Sequence, residues 1–92
     1  MANKIRMYLY HRREELGYSM RKVAKIGGLS FQHYSCIENG DRLRKISFVV
    51  IIKIANALKL SLDYIAEKEI EYLSQYIKDE EDSLMPLIRG DN

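Results

Sequence analysis

The sequence predicts an all-α fold. Helix formers dominate its 92 residues, Pro86 is the only proline, and apolar residues recur at spacings of three and four rather than two. The length suits one domain with a modest single core, near the size at which a second subunit often helps.

The first helix is expected over Lys4 to Leu16, with Ile5, Tyr8, Leu9 and Leu16 on one side and Gly17 as its stop. Arg12 falls on that apolar side, so its stem is expected to cover core surface while the guanidinium reaches water. Ser19 to Gly40 then carries two short helical patterns, Met20 to Ile26 and Phe31 to Glu38, around Gly27-Gly28-Leu29-Ser30. Ser19 and Ser30 each precede a helical run, where a side-chain oxygen can accept from an orphan backbone N–H. Gly28 is best able to take the left-handed conformation that ends one helix and redirects the chain. Val23, Ala24, Leu29, Tyr34 and Ile37 are spaced to point into the angle between the two. This is the outline of a helix-turn-helix, and an ordinary αα-hairpin satisfies the same spacing.

Asn39 to Ile46 reads as a loop with three positive charges, Arg42, Arg44 and Lys45. Ser47 is an N-cap for a helix over Phe48 to Leu58 whose core face is expected to be Phe48, Ile51, Ile52, Ala55 and Leu58. Val49 and Val50 fall outside that face, either half-buried under the loop or part of a subunit contact. Ser61 caps the last helix, Leu62 to about Lys78, with Leu62, Ile65, Ala66, Ile70, Leu73, Tyr76 and Ile77 in a stripe. Beyond Glu67 this stripe needs a further surface, on its own chain or, as we prefer, on a second copy. Leu84 to Ile88 is a docked tail or a short recognition segment.

Charge is divided along the chain. Residues 1–66 carry 12 Lys and Arg against 5 Asp and Glu, a net +7, while residues 67–92 carry 3 against 8, a net −5. A basic globular part suits a phosphate-bearing partner, and the acidic extension does not. Cys36 is the only cysteine, so no internal disulfide or cysteine-based zinc site can form. No apolar run is long enough to span a bilayer, and the N-terminal residues lack the apolar block of a signal peptide; a cytoplasmic location is expected, with no membrane partner. His11 and His33 lie on different helices without a catalytic or metal-binding context, and no phosphate-cradling glycine loop is present. Neither an enzyme, nor a metal site, nor a cofactor is expected.

Four segments, RREELGYS at 12–19, VAKIGGLS at 23–30, YSCIENG at 34–40 and IANALKLSLDYI at 54–65, resemble the Cro and phage-repressor type, or XRE-like, family of helix-turn-helix regulators, in the family's order and spacing. The resemblance implies a compact five-helix lambda-repressor-like DNA-binding domain over residues 1–66, with residues 67–92 as a C-terminal helical extension. It implies a transcriptional regulator acting as a repressor, bound as a homodimer to a double-stranded DNA operator, its third helix in the major groove and its second across the backbone. Base contacts would come from Phe31, Gln32, Ser35 and Cys36. Gln32 can donate and accept at once, as adenine requires; Phe31 either packs on a thymine methyl or tucks against the neighbouring helix. Phosphate contacts would come from Ser19, Arg21, Lys22, Ser30, His33, Asn39, Arg42, Arg44 and Lys45.

Relatives usually place Gln and two Glu where this chain has Met20, Arg21 and Lys22. Cations there oppose the helix dipole, so their benefit would appear beside phosphate. Arg13 and Glu38 would form a structural ion pair, and Ile70, Leu73, Tyr76 and Ile77 a dimerisation surface. The competing reading is an antitoxin or accessory regulator acting mainly through protein contacts of the C-terminal helix, with a toxin or antirepressor as partner.

Overall fold

The computed structural model describes residues 4–41 and 45–76, Tyr76 by its backbone alone. Five helices follow in order, α1 (Met7–Leu16), α2 (Met20–Gly27), α3 (Phe31–Asn39), α4 (Phe48–Leu58) and α5 (Leu62–Tyr76), and the described residues contain no strand. Serine starts four of them. Ser19 Oγ accepts from the Lys22 N–H at 3.1 Å, Ser30 from His33 at 3.0 Å, Ser47 from Val50 at 3.3 Å and Ser61 from Tyr64 at 3.1 Å. Each such cap is worth about 1 kcal/mol.

α1 begins three residues later than spacing suggests. Its N-cap is Arg6, which has no side-chain acceptor to cap the helix and whose backbone N–H donates to the Glu38 carbonyl at 2.7 Å. Lys4 to Arg6 therefore run as a non-helical strap along the end of α3.

The buried core draws on all five helices: Leu9, Val23, Ala24, Tyr34, Ile37, Ile54, Ala55, Ala57, Leu58 and Ile65. α2 packs against both α3 and α4. Leu29 is partly buried against this core, so the residues expected in the angle between α2 and α3 do meet there.

The face assigned to α4 needs correction. Phe48 is 67 % exposed and Ile52 lies beside it in solvent, whereas Ile54, Ala57 and Leu58 are buried and Val50 is partly so. With about 100° between successive residues, the core face is turned toward Val50 and Ile54. The run Phe48 to Ile52 is apolar all round, so periodicity there could not fix which side faces inward. Arg12 also differs from expectation. Its guanidinium does not simply reach water but donates to the carbonyls of Leu58 at 2.9 Å and Lys59 at 3.3 Å, where a cation opposes the negative end of α4.

Two buried arginines hold α3. Arg13 pairs with Glu38 through Nε to Oε1 and Nη2 to Oε2, both at 2.9 Å, and its Nη1 donates to the Tyr18 carbonyl. Tyr34 Oη donates to the same Glu38 carboxylate at 2.8 Å. On the other side Arg6, fully buried, grips Glu69 of α5 through Nε at 2.5 Å and Nη2 at 3.0 Å, and its Nη1 donates to the Ile37 carbonyl at 2.7 Å. Tyr8 Oη adds a donor to Glu69, the Tyr72 ring lies 4.4 Å from the Arg6 guanidinium, and Tyr72 Oη donates to the Lys4 carbonyl. Among the described residues every buried side-chain nitrogen and oxygen has a partner. That satisfaction is what makes buried charge tolerable.

Candidate nucleic-acid interface

α3 is built with two unlike faces. Tyr34, Ile37 and Glu38 point inward and are buried; Gln32, His33 and Asn39 are exposed, with Phe31, Ser35 and Cys36 half-buried at their flanks. Gln32 occupies the middle of the outer face by helical angle. Its amide has no hydrogen-bond partner among the described residues, leaving both donor and acceptor for a ligand. Asn39 Nδ2 donates to Ser35 Oγ at 3.2 Å, so the Ser35 hydroxyl is oriented with its proton turned elsewhere. The four residues expected to face bases are thus on one helix surface.

The turn before α3 fixes how that surface is presented. Gly28 has φ +73°, and the Leu29 N–H returns to the Ala24 carbonyl at 2.8 Å. This closes the end of α2 in the manner of a Schellman turn. Ser19 and Ser30 are spent as caps, but their exposed positions leave the first turns of α2 and α3 open to an anion.

Arg21 and Lys22 are exposed in the first turn of α2. Each lies over a ring: Arg21 Cζ is 4.2 Å from the Phe31 centroid and Lys22 Nζ 4.6 Å from that of Tyr18. A guanidinium stacked on a ring uses its face and leaves N–H donors at its edge, and an ammonium over a ring keeps the N–H donors that point away from it. Lys45 is exposed beyond α3, while Arg42, Arg44 and Ile77 lie outside the described residues.

Burial raises the proton affinity of the Tyr34 phenol, with the adjacent Glu38 carboxylate adding to it. Burial and then Glu69 do the same to Tyr8. The hydrogen bond to Glu38 pushes the Arg13 guanidinium up, outweighing its own desolvation. These groups are braces, and they stay in one charge state at neutral pH.

Sequence reasoning missed the second brace. Glu69 stands in the series Ile65, Glu69, Tyr72, at steps of four and three, which places a carboxylate on the core side of α5. That carboxylate called for a cation, and Arg6 was among those without an assigned role. Flanking that series on α5, Leu62 is 41 % and Ile70 53 % exposed, and Leu73 is half-buried; the Tyr76 side chain is outside the described residues.

A groove of about 670 Å³ runs between α1 and α5, lined by Met7, Tyr8, His11, Tyr64, Lys68 and Gln75 among others. No residue of α2 or α3 borders it, so it is separate from the outer face of α3. Among the described residues no group of three His, Cys, Asp or Glu could hold a metal ion, and no helix is long and apolar enough to cross a membrane.

Residues 9–65, more than half of the chain, match the family model described as Helix-turn-helix. No curated protein matches the chain. The matched span contains α2, α3 and α4 entire, with most of α1 and the start of α5, and the described helices have the all-α, lambda-repressor-like arrangement. The chain belongs to the Cro and phage-repressor type, XRE-like, helix-turn-helix family of DNA-binding transcription regulators.

Proposed function

We propose that the chain is a sequence-specific double-stranded DNA-binding repressor that acts in the cytoplasm as a homodimer, with α3 in the major groove of each half-site. The observation that carries this reading is the outer face of α3. It presents the unpartnered Gln32 amide with Phe31, Ser35 and Cys36 around it, between two capped helix starts and the cations of α2. A glutamine amide aimed into the groove matches adenine N6 and N7, worth roughly 1–3 kcal/mol against the wrong base. Ser19, Arg21, Lys22, Ser30, His33, Asn39, Arg42, Arg44 and Lys45 take the phosphates. Repression follows from occupancy, since DNA covered by the protein is closed to other proteins.

The extension from Glu67 on supplies the subunit contact. Ile70 and Leu73, followed in sequence by Tyr76 and Ile77, form that contact, with Ile70 53 % exposed and Leu73 half-buried beside the series Ile65, Glu69 and Tyr72. The same exposed stripe also favours a second reading, a regulator or antitoxin whose main partner is another protein.

Selection of duplexes from a random pool tests the reading. Two related half-sites should be enriched, and Gln32→Ala should abolish retardation of the selected duplex while leaving oligomerisation intact. No enrichment, or full binding by Gln32→Ala, would overturn it.

A further inference from the structure

We propose that Phe31, clamped by Arg21, is a specificity element that reads the C5-methyl group of one thymine in each half-site. The inference rests on the DNA-binding reading above and adds a ligand group to it.

Phe31 is an aromatic residue that the core does not use. It is only half-buried and is not among the side chains packed against the buried cluster, unlike Leu29 and Met20 close by. A cation lies over it, the Arg21 guanidinium 4.2 Å from the ring centroid. The contact spans from the first turn of α2 to the first residue of α3 and fixes the ring at the head of the outer face. Side chains at a helix start lean toward its N-terminus, the end of a reading helix that approaches base edges.

A phenyl ring there has no donor or acceptor to offer. The one feature of a major-groove base edge that it can recognise is the thymine methyl, which cytosine lacks. The ring is half-buried, with Arg21 over it, and the part that stays exposed is what meets that methyl. The guanidinium keeps its N–H edge for the neighbouring phosphate, and among the described residues it has no carboxylate partner. Arg21 is therefore a positioning residue for the base contact as well as a phosphate ligand. The arginine that departs from the family pattern in α2 and the phenylalanine of α3 thus work as a pair.

The test uses the full chain and the duplex enriched from the random pool, with each thymine replaced in turn by deoxyuridine, which removes the methyl alone. At one position per half-site the loss should lower affinity about fourfold, the value of burying one methyl-sized group. Phe31→Ala should bind more weakly and become indifferent to that methyl, Phe31→Leu should keep part of the response, and Arg21→Gln should reduce it. A flat deoxyuridine profile, or an undiminished methyl response in Phe31→Ala, overturns the proposal while leaving DNA binding intact. Failure to enrich any duplex removes the DNA-binding reading and this inference together.

Discussion

Arg6 and Glu69, 63 positions apart, form a buried two-pronged ion pair, with Nε of the arginine 2.5 Å from Oε1 of the glutamate and both side chains at most 9 % exposed. Through Nη1 the same arginine holds the Ile37 carbonyl, so one guanidinium joins α5 to the end of α3. Removing the glutamate strands a buried cation. Glu69→Ala should therefore cost about 3–5 kcal/mol in urea unfolding, whereas Arg6→Met combined with Glu69→Leu should recover most of that. Equal losses in the single and double variants would show that the pair is not what holds α5.

Gly40 closes α3 at φ +75°, and a Cβ there would land on the Lys4 carbonyl oxygen and crowd Tyr72 Oη. Gly28 has φ +73° with nothing within 4 Å of the same added atom. Gly28→Ala should cost only the left-handed backbone penalty, about 1–2 kcal/mol, and Gly40→Ala distinctly more. Thermal melts of the two variants compare them directly.

Tyr34 and Tyr8 are both held protonated by burial and by a neighbouring carboxylate. Above about pH 10 tyrosines of the unfolded chain ionise while these two do not, so the native state keeps protons that the unfolded state has lost. Their contribution is fully present below that pH. It is lost as pH rises, at up to about 1.4 kcal/mol per pH unit for each group. Urea midpoints from pH 8 to 11 should fall, and the slope should be shallower in Tyr34→Phe, even though that variant starts less stable for want of its bond to Glu38.

Arg21 and Lys22 stand at a helix start where cations oppose the dipole. If they meet phosphate, replacing both with Gln should flatten the log–log dependence of DNA affinity on salt by roughly two units. An unchanged slope would mean that they serve only their stacks on Phe31 and Tyr18.

Ile70, at 53 % exposure, can be changed without opening the core. Ile70→Asp with Leu73→Asp should turn a dimer into a monomer in sedimentation at micromolar concentrations. A full-length chain that is already monomeric at tens of micromolar would remove the subunit contact.

Much of this was legible in the residues. The four serine caps and the glycine turn are local signals, and local signals name helix starts well. The outer face of α3 could be read because its inner face is marked by Tyr34 and Ile37 at a step of three. Two things were hidden for a shared reason. In α4 five consecutive apolar residues erase the contrast that periodicity needs, so Phe48 was placed inside. At Arg6 and Glu69 the charge of each residue reads as solvent exposure, and only the three-dimensional closure of the chain shows two surface-like residues neutralising one another in the interior.

The distance in sequence between those two partners also sets an order of events. Arg6 leaves the ribosome well before Glu69, so a nascent chain that has released everything up to Ala66 carries α3 complete without its brace. On the proposed DNA-binding reading, chains cut short before Glu69 should therefore be poor competitors for the same DNA.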